Sequence, residues 1–471
     1  MILPESFKSY TERMMGSSLF GRFVTALSEE PPVSIRINPS KCGGAPPGGS
    51  RVPWCGTGYY LPERPQFTFD PLLHAGCYYV QEASSMFLCR VLGQYVAGPV
   101  AVLDMCAAPG GKSTAALSAV PAGSVLVCNE PVRARAAVLA ENICKWGSPG
   151  VIVTNNYPAD IAATGLQFDV IVCDVPCSGE GMFRKDEGAV AEWSTAGVES
   201  CRRLQREIVA SAWHCLKPGG LLVYSTCTFN TGENEENIRW ICSDLGASVL
   251  PVDTEAGWGI TGSLLDGFAG PVYRFIPGTS RGEGLFMAVL RKPGDGHSAS
   301  GPRRPKKAAK QPRQQVKMPV EWLSGSGDGF AVSLRGDVIE AVPAALSDIH
   351  AVAAAGLRVL SAGVTLGRIK GRDIVPDISL ALSTALNRSA FPNVELTYAQ
   401  AIAYLRREAV TLPDGTPRGY VLVTYGGAPL GFVKNLGNRA NNMYPQEWRI
   451  KSSHAPAEPP QTVACTAETK Q

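Results

Sequence analysis

Short apolar strands alternate with helices between residues 91 and 293, and this alternation constrains the fold more than any other feature of the sequence. The strands expected at residues 100–103, 124–129, 151–154, 168–174 and 221–225 are largely apolar, as is typical of strands buried on both faces of a parallel sheet. Strand–helix–strand units of this kind build a sheet with helices packed on both sides. We therefore expect an α/β fold organised around a doubly wound, Rossmann-like sheet.

A loop rich in small residues follows the first strand of this pattern. Residues 104–113 read DMCAAPGGKS, and a helix is expected over residues 113–120. Gly110 and Gly111 allow the backbone to approach a ligand closely, while the helix start offers unpaired N–H groups. Such a loop at the carboxyl end of a first strand can cradle the phosphates of a nucleotide or an adenosyl cofactor. The phosphate-loop motif needs glycine at position 106, where Cys106 stands, so its spacing excludes that motif.

An acidic residue, Glu130, follows the second strand about 20 residues after the loop. Folds of this class place a carboxylate there, where it binds the two hydroxyl groups of a ribose. The alternative is an acid that only marks the start of a helix, since Pro131 opens one.

Two cysteines stand at the ends of the fourth and fifth strands. Residues 174–181 read DVPCSGEG and residues 224–228 read YSTCT, which places Cys177 and Cys227 at the same sheet edge as Gly110. Because ligands bind at that edge in such folds, we expect both thiols to face one cavity. The alternative is a pair of small buried hydrophobic residues, which is the usual role of a cysteine.

The composition limits the classes of protein. A chain of 471 residues that is 45% hydrophobic can bury a sizeable core. It shows neither an apolar run of about 20 residues nor a signal peptide, so we expect a cytoplasmic protein that does not span a membrane. The 14 cysteines include no Cys-x-x-Cys pair and there are five histidines, which supports neither a metal cluster nor a disulfide framework. The net charge of +3 by itself indicates no class of partner.

Shifts in composition divide the chain into segments. We expect an N-terminal region over residues 1–90, a central domain over 91–293, a basic flexible linker over 294–317 and a small α/β domain over 318–450. The tail, residues 451–471, is expected to be disordered. Between residues 301 and 317 lie seven basic residues and no acidic one, so the linker either contacts phosphate or is a solvated tether.

The central motifs resemble those of a known family. DMCAAPGGK, DVPCSGEG and YSTCT, in this order and on these strands, are similar to motifs of the RNA cytosine-C5 methyltransferases of the Nop/Sun family. Residues 34–38 (SIRIN) and 79–86 (YVQEASSM) resemble N-terminal segments of the family, so the similarity covers most of residues 30–292. GEGMFRKD at residues 179–186, and a C-terminal region ending in NMYP before Arg449, resemble the bacterial RsmF-type ribosomal RNA enzymes, which carry a PUA-like RNA-binding module.

The resemblance implies a reaction and an organisation. It implies methylation of carbon 5 of a cytosine in RNA, with S-adenosylmethionine as cofactor and a covalent cysteine adduct as intermediate. The implied partner is ribosomal RNA or a ribosomal subunit, bound by a monomer through the N-terminal region, which packs on the catalytic domain, and a C-terminal PUA-like domain. We expect the linker and the C-terminal domain to add RNA affinity while leaving cofactor binding intact.

The resemblance also implies roles for individual residues. Cys227 is the expected nucleophile, and Cys177 is expected to help release the product. Asp174 is expected to hydrogen-bond the base, with Lys112 near both base and cofactor. Many relatives carry an aspartate after the third strand that contacts the adenine, and here Asn155 or Asn156 is expected to take its place, Asn156 being the one assigned to the cofactor site. The expected cofactor-binding residues are Cys106, Ala107, Ala108, Pro109, Gly110, Gly111, Lys112, Glu130, Asn156 and Asp174.

Two other classes of function fit the same fold. One is an enzyme that acts on transfer RNA, DNA or protein; for DNA or protein, Cys177 would be the nucleophile and Cys227 a packing residue. The other is a non-catalytic RNA-binding assembly factor. The second cysteine favours RNA over DNA or protein as the substrate, and the presence of both cysteines, Asp174 and the glycine loop disfavours the non-catalytic factor.

Overall fold

The computed structural model describes residues 3–294, 317–452 and 454–463. The predicted basic linker therefore lies almost wholly outside the described residues. The N-terminal region is a small α/β unit whose strands are ordered β2-β3-β1-β4. Its strands are β1 (Ser34–Ile37), β2 (Ser50–Arg51), β3 (Gly58–Tyr60) and β4 (Tyr78–Val80), and its helices are α1 (Glu5–Met15), α2 (Ser17–Leu27), α3 (Pro71–His74) and α4 (Phe87–Tyr95).

The central domain is built from alternating strands and helices, as the sequence predicts. Its strands are β5 (Ala101–Asp104), β6 (Val125–Asn129), β7 (Val151–Thr154), β8 (Phe168–Asp174), β9 (Leu216–Thr226), β10 (Ser248–Leu250), β11 (Tyr273–Phe275) and β12 (Leu285–Arg291). Its helices are α5 (Gly111–Ala119), α6 (Arg133–Trp146), α7 (Pro158–Ala163), α8 (Glu187–Glu192), α9 (Thr195–Cys215) and α10 (Glu235–Leu245).

Within the described part of the chain the central sheet has nine strands, in the order β10-β12-β9-β8-β5-β6-β7 and then one further strand, with β11 beside β12. Strands β7, β6, β5, β8 and β9 are parallel. Alternate residues of each strand enter separate cores on the two faces; Val102 lies in one core and Leu103 in the other. This arrangement confirms the doubly wound α/β fold.

Strand β9 begins earlier than predicted. The sequence Lys-Pro-Gly-Gly at residues 217–220 predicts a turn and a strand start at residue 221, yet Leu216 already pairs with Phe168. The register shifts between Phe168 and Val170, because Phe168 pairs with Leu216 while Val170 pairs with Leu221, so four residues lie between the paired positions on β9 and one on β8. The predicted turn is therefore an irregularity inside one strand, because buried Leu216 continues the sheet core.

The C-terminal part contains two further four-stranded sheets among the residues described after position 317, ordered β13-β14-β16-β17 and β18-β19-β20-β21. Its strands are β13 (Phe330–Arg335), β14 (Val338–Pro343), β15 (Val359–Ala362), β16 (Val364–Lys370), β17 (Asp373–Pro376), β18 (Asn393–Glu395), β19 (Gly419–Tyr425), β20 (Ala428–Asn435) and β21 (Ala440–Asn442), and its helices are α11 (Ser347–Gly356), α12 (Ile378–Leu382) and α13 (Tyr398–Leu405). The two sheets share one apolar core, in which Ile339 and Leu366 lie with Leu422 and Phe432.

Strand β15 leaves the C-terminal part and completes the central sheet. It pairs antiparallel with β7, with Ala362 opposite Ile152 and Val359 opposite Thr154. Buried Val342 and Leu346 extend the central core on the same side. The C-terminal part is therefore continuous with the central domain, which differs from the separate domain predicted over residues 318–450.

The C-terminal part also packs against the N-terminal region. Ile35 and Tyr78 share an apolar core with Val421 and Tyr444. Val463 is buried in that core as well, so residues 454–463 pack on the protein and the disordered tail predicted from residue 451 is wrong for them. This core thereby holds the N-terminal region against the last described residues of the chain.

Candidate functional site

The strand order creates a crevice at one edge of the central sheet. Strands β5 and β8 are neighbours in the sheet and end at Asp104 and Asp174. After β5 the chain continues to β6 on one side of this pair, and after β8 it continues to β9 on the other side. Ligands bind at such a switch point in open α/β sheets. Strand β9 lies beside β8 with Ser225 opposite Asp174, so the segment that carries Cys227 reaches the same edge.

The structure brings the two predicted cysteines together. The Sγ atoms of Cys177 and Cys227 are 3.3 Å apart, a distance at which one thiol donates a hydrogen bond to the other sulfur. That bond lowers the pKa of Cys227 against the opposing effect of burial, and the nearby charge of Lys112 acts in the same direction. The same bond, followed by burial, raises the pKa of Cys177. The pair therefore favours a thiolate on Cys227 and a thiol on Cys177.

An ion pair lies beside the thiols. Lys112 Nζ donates a hydrogen bond to Asp174 Oδ2 at 2.9 Å, and Ser225 Oγ donates to Asp174 Oδ1 at 2.8 Å. Burial lowers the pKa of Lys112, but the charge of Asp174 and the hydrogen bond to it outweigh this effect and raise the pKa. Lys112 is therefore a fixed ammonium group next to an oriented carboxylate.

The loop after β5 is shaped by its glycines. Gly110 adopts φ 109°, a left-handed conformation, and a Cβ there would lie 3.3 Å from Leu139 Cδ1. Helix α5 begins at Gly111, two residues earlier than predicted. Burial raises the pKa of Asp104 to about 7, and its Oδ1 is buried without a hydrogen-bond partner in the described chain. The loop thus presents helix N–H groups beside an acceptor atom that is available to a ligand.

Glu130 lies at the end of β6 as predicted and is 1% exposed. Its Oε1 accepts a hydrogen bond from Val132 N–H at 3.0 Å, and Oε2 lies 3.5 Å from an Arg135 nitrogen. Burial raises the pKa of Cys106, and the charges of Asp104, Asp174 and Glu130 add to the effect. The thiol of Cys106 therefore stays protonated within reach of all three carboxylates.

Asn156 has a different partner from the predicted one. Its side chain donates to the Arg358 carbonyl at 3.2 Å and accepts from the Arg358 N–H at 3.0 Å, immediately before β15. The amide is therefore engaged at both ends. This side chain links the C-terminal part to the end of β7, and its contact with the cofactor stays a prediction.

Several residues of the site escape the sequence analysis. Arg36 alternates with apolar residues in β1, which predicts a polar face toward solvent or a partner, yet it is buried. It donates to Thr114 Oγ1 at 2.6 Å on α5 and lies over the Trp146 ring. Glu180 and Glu233 are also buried, and both contact the cysteine segments. For Glu180 the signal is its place in DVPCSGEG; for Glu233 it is a cluster of acidic residues, with Glu235 and Glu236, that is typical of the start of a helix.

The described residues contain neither a group suited to a metal ion nor a helix suited to a membrane span. Over residues 3–294, 317–452 and 454–463, the histidines, cysteines and acidic residues form no group of three or more suited to a metal ion. None of the helices in those same ranges has the length and apolar character that crossing a bilayer requires.

Three family models match the chain in sequence. Residues 98–291 match the 16S rRNA methyltransferase RsmB/F model, residues 3–83 match the N-terminal domain of 16S rRNA methyltransferase RsmF, and residues 391–450 match the methyltransferase RsmF PUA domain. The PUA match thus covers the second C-terminal sheet, whereas the predicted PUA-like domain began at residue 318.

Relatives match over nearly the full length. The ribosomal RNA small subunit methyltransferase F of Klebsiella pneumoniae is 30% identical over 474 residues, covering 94% of this chain and 96% of the relative. The protein of the same name from Cronobacter sakazakii is 31% identical over 480 residues, with the same coverage. Among solved structures, NSun6 from Pyrococcus horikoshii with SFG has a TM-score of 0.53 and 19% identity, and covers 62% of this chain and 99% of its own. PH0851 has a TM-score of 0.56 and 23% identity, and covers 62% of this chain and 66% of its own. These two structures share the fold.

Proposed function

The chain belongs to the RsmB/F family of 16S rRNA methyltransferases, and from this premise we propose that it methylates carbon 5 of a cytosine in 16S ribosomal RNA with S-adenosylmethionine as cofactor. The observation that carries the proposal is the pair of thiols 3.3 Å apart beside the Lys112–Asp174 ion pair. Carbon 5 of cytosine is a poor nucleophile, so the reaction needs a group that first adds to carbon 6. A cysteine thiolate is such a group.

Cys227 is the group that adds. Its thiolate forms a bond to carbon 6, and the electron pair of the carbon 5–carbon 6 double bond then makes carbon 5 nucleophilic. After carbon 5 has been methylated, it loses its proton and the bond between sulfur and carbon 6 breaks, which restores the thiolate and the aromatic ring. Cys177 relays or organises the acceptor of that proton, since its Sγ lies 3.3 Å from the sulfur that carries the adduct.

Asp174 and Lys112 orient and stabilise the base. The Asp174 carboxyl group hydrogen-bonds the protonated polar edge of cytosine and so favours addition at carbon 6. The ammonium group of Lys112 fixes the carboxyl group at 2.9 Å and lowers the pKa of Cys227 by its charge. The cytosine must be unpaired or rotated out of its stack to reach a crevice at the sheet edge.

The residues of the loop suit the cofactor. S-adenosylmethionine supplies an electrophilic methyl group when bound. It carries positive charge and ribose hydroxyl groups, and the loop edge offers the unpartnered Oδ1 of Asp104 together with Glu130 and Asp174. The segment from Cys106 through Ala107, Ala108, Pro109, Gly110 and Gly111 to Lys112 would hold the cofactor, with Glu130 on the ribose.

The partner is RNA, bound through the N-terminal region and the PUA domain matched at residues 391–450. Mapping 5-methylcytosine in 16S RNA from cells with and without the gene tests the proposed function. We expect one site to lose its methyl group in the deletion strain and to regain it when the gene is restored. Purified protein should then methylate that site in either free 16S RNA or the small subunit. An unchanged methylation map would refute the proposal.

Gly110→Val should weaken binding of S-adenosylmethionine at least about tenfold, because a branched side chain is strained at φ 109° and would crowd Leu139. Gly123→Val is the matched control, since Gly123 adopts φ 87° and a Cβ there would lie 3.6 Å from Pro99, at the other end of α5. Isothermal titration calorimetry measures both affinities. Equal losses of affinity in the two variants would mean that general backbone strain causes the effect and that the loop is not part of the cofactor site.

A further inference from the structure

Two cysteine-bearing loops meet at the site, the Cys177 loop (residues 175–182) and the Cys227 loop (residues 227–234). A buried carboxylate, Glu233, lies where they join. Resting on the proposed function, we propose that Glu233 is a positioning residue that gives the two cysteines their separate roles. It holds the backbone after Cys177 directly and the backbone before Cys177 through Gln205, and it keeps a negative charge beside that thiol so that Cys227 is the thiol that reacts.

The contacts of Glu233 bracket Cys177. The N–H of Ser178 donates to Oε2 at 3.0 Å, directly after the cysteine. Gln205 Nε2 on α9 donates to the same oxygen at 2.6 Å and to the Pro176 carbonyl at 2.9 Å, directly before the cysteine. Asn230 Nδ2 donates to Oε1 at 2.7 Å from within the Cys227 loop. One carboxyl group therefore ties together α9 and both loops.

Other hydrogen bonds join the two loops directly. Ser178 Oγ and Thr228 Oγ1 are 2.9 Å apart, and the Gly181 N–H donates to the Cys227 carbonyl at 2.7 Å. A Cβ on Gly181 would lie 2.6 Å from that carbonyl oxygen, so the close approach requires glycine. The sulfur-to-sulfur distance of 3.3 Å depends on this junction, in which Glu233 is the carboxyl group that contacts the backbone beside Cys177.

The partners of Glu233 favour its ionised form. Ser178, Gln205 and Asn230 all donate N–H groups to it, and a carboxylate accepts on both oxygens whereas a protonated acid does not. Burial raises the pKa of Glu233, and the hydrogen bonds from Ser178 and Asn230 oppose that rise. The titratable groups that face it are Glu180 in the Cys177 loop, Cys201 on α9, Tyr224 on β9 and the two thiols.

The charges around the two thiols are unequal. Glu233 raises the pKa of both cysteines by its negative charge. At Cys227 the negative charge of Asp174 adds to that of Glu233, and the positive charge of Lys112 acts in the opposite direction. The contacts of Glu233 flank Cys177, directly through the Ser178 N–H and by way of Gln205 to the Pro176 carbonyl, so its charge lies beside Cys177 and favours keeping the shared proton there. Removing that charge should make Cys177 compete with Cys227 as a thiolate.

Alkylation of the full-length protein without RNA or cofactor tests this proposal. Iodoacetamide is applied between pH 6 and 9, and mass spectrometry of the peptides gives the ratio of alkylation at Cys227 to that at Cys177. We expect Cys227 to react first in the wild type, and Glu233→Gln to lower the ratio about tenfold, the effect of one pKa unit. Glu233→Asp keeps the charge and should retain most of the preference.

Asp70→Asn is the control for losing a buried carboxyl group outside the site. Asp70 is buried in the N-terminal region, where it accepts hydrogen bonds from the Leu72 N–H and the Tyr78 hydroxyl group, so its loss should leave the ratio unchanged. A wild-type ratio in Glu233→Gln at every pH, or equal losses in the Gln and Asp variants, would overturn the proposal. Because the assay needs neither RNA nor cofactor, failure of the proposed function would appear separately, as unmethylated 16S RNA with the wild-type protein.

A second variant tests the proposal if Glu233→Gln does not show cooperative thermal unfolding. Gln205→Ala removes one donor to the carboxylate, which raises the pKa of Glu233 further. The carboxyl group then takes up its proton at higher pH, so its charge is lost as the pH falls, and we expect the alkylation ratio to decline from pH 8 to pH 6 more steeply than in the wild type. A pH dependence identical to the wild type would overturn the proposal.

Discussion

Cys227→Ala should abolish methylation, a loss on the order of 10⁴-fold or more, because it removes the thiolate that adds to carbon 6. Cys177 is not expected to replace it, since burial and the charge of Glu233, which the substitution leaves in place, raise its pKa. Incubation with RNA and cofactor followed by a denaturing gel should show no covalent complex. The cofactor affinity of the variant should remain that of the wild type.

Cys177→Ala should give the opposite result on the same gel. We expect one methylation per protein and then a stable RNA adduct, because Cys227 can still add to the base but elimination lacks the group that serves carbon 5. Cys242→Ala is the control, a half-buried cysteine on α10 outside the pair, and it should turn over normally. An adduct with Cys227→Ala and none with Cys177→Ala would reverse the two roles. Full activity in both would mean that neither thiol takes part.

Deleting residues 295–471 should destabilise the central domain severely, in contrast to the expectation from sequence that only RNA affinity would suffer. The deletion removes β15 from the edge of β7 and takes Val342 and Leu346 from the central core. Burial of each such side chain contributes about 1.5–3 kcal/mol, and a domain has only about 5–15 kcal/mol in total. We expect loss of cooperative thermal unfolding, aggregation and loss of cofactor binding.

Two further variants serve as controls for the deletion. Deleting only residues 464–471, which lie beyond the buried Val463, should leave the melting temperature unchanged. A full-length protein cleaved at a protease site introduced at residue 305 should elute from a sizing column as one complex, since β15 and the shared cores hold the halves together. A truncated protein that is monomeric and melts like the full chain would show that the C-terminal part is dispensable.

Much of the central domain follows from local sequence. Strands over residues 151–154 and 168–174 have the predicted bounds, because an apolar run between turn residues specifies a buried parallel strand. The meeting of Cys177 and Cys227 is also predictable, since neighbouring parallel strands end at one edge of a sheet. In both cases the prediction depends on the local pattern of each strand, and the fold class then brings the strand ends together.

The remaining features depend on contacts distant in sequence. Nothing in the four residues of β15 specifies β7 as its partner, because the pairing is decided by an edge far away in the chain. Alternation in β1 predicts a solvated polar face, and only α5 and Trp146 make Arg36 a buried residue. Glu233 has the pattern of a helix start, and its contact with Ser178 exists only once two loops meet.

The position of β15 bears on how the protein is made. During synthesis the unpaired edge of β7 emerges first, and its covering strand follows roughly 200 residues later, which at 5–20 residues per second is on the order of 10–40 s. An open apolar edge is a template for pairing with other chains during that interval. The nascent protein therefore passes through a period in which its own ribosome-bound neighbours compete with β15 for the edge of β7.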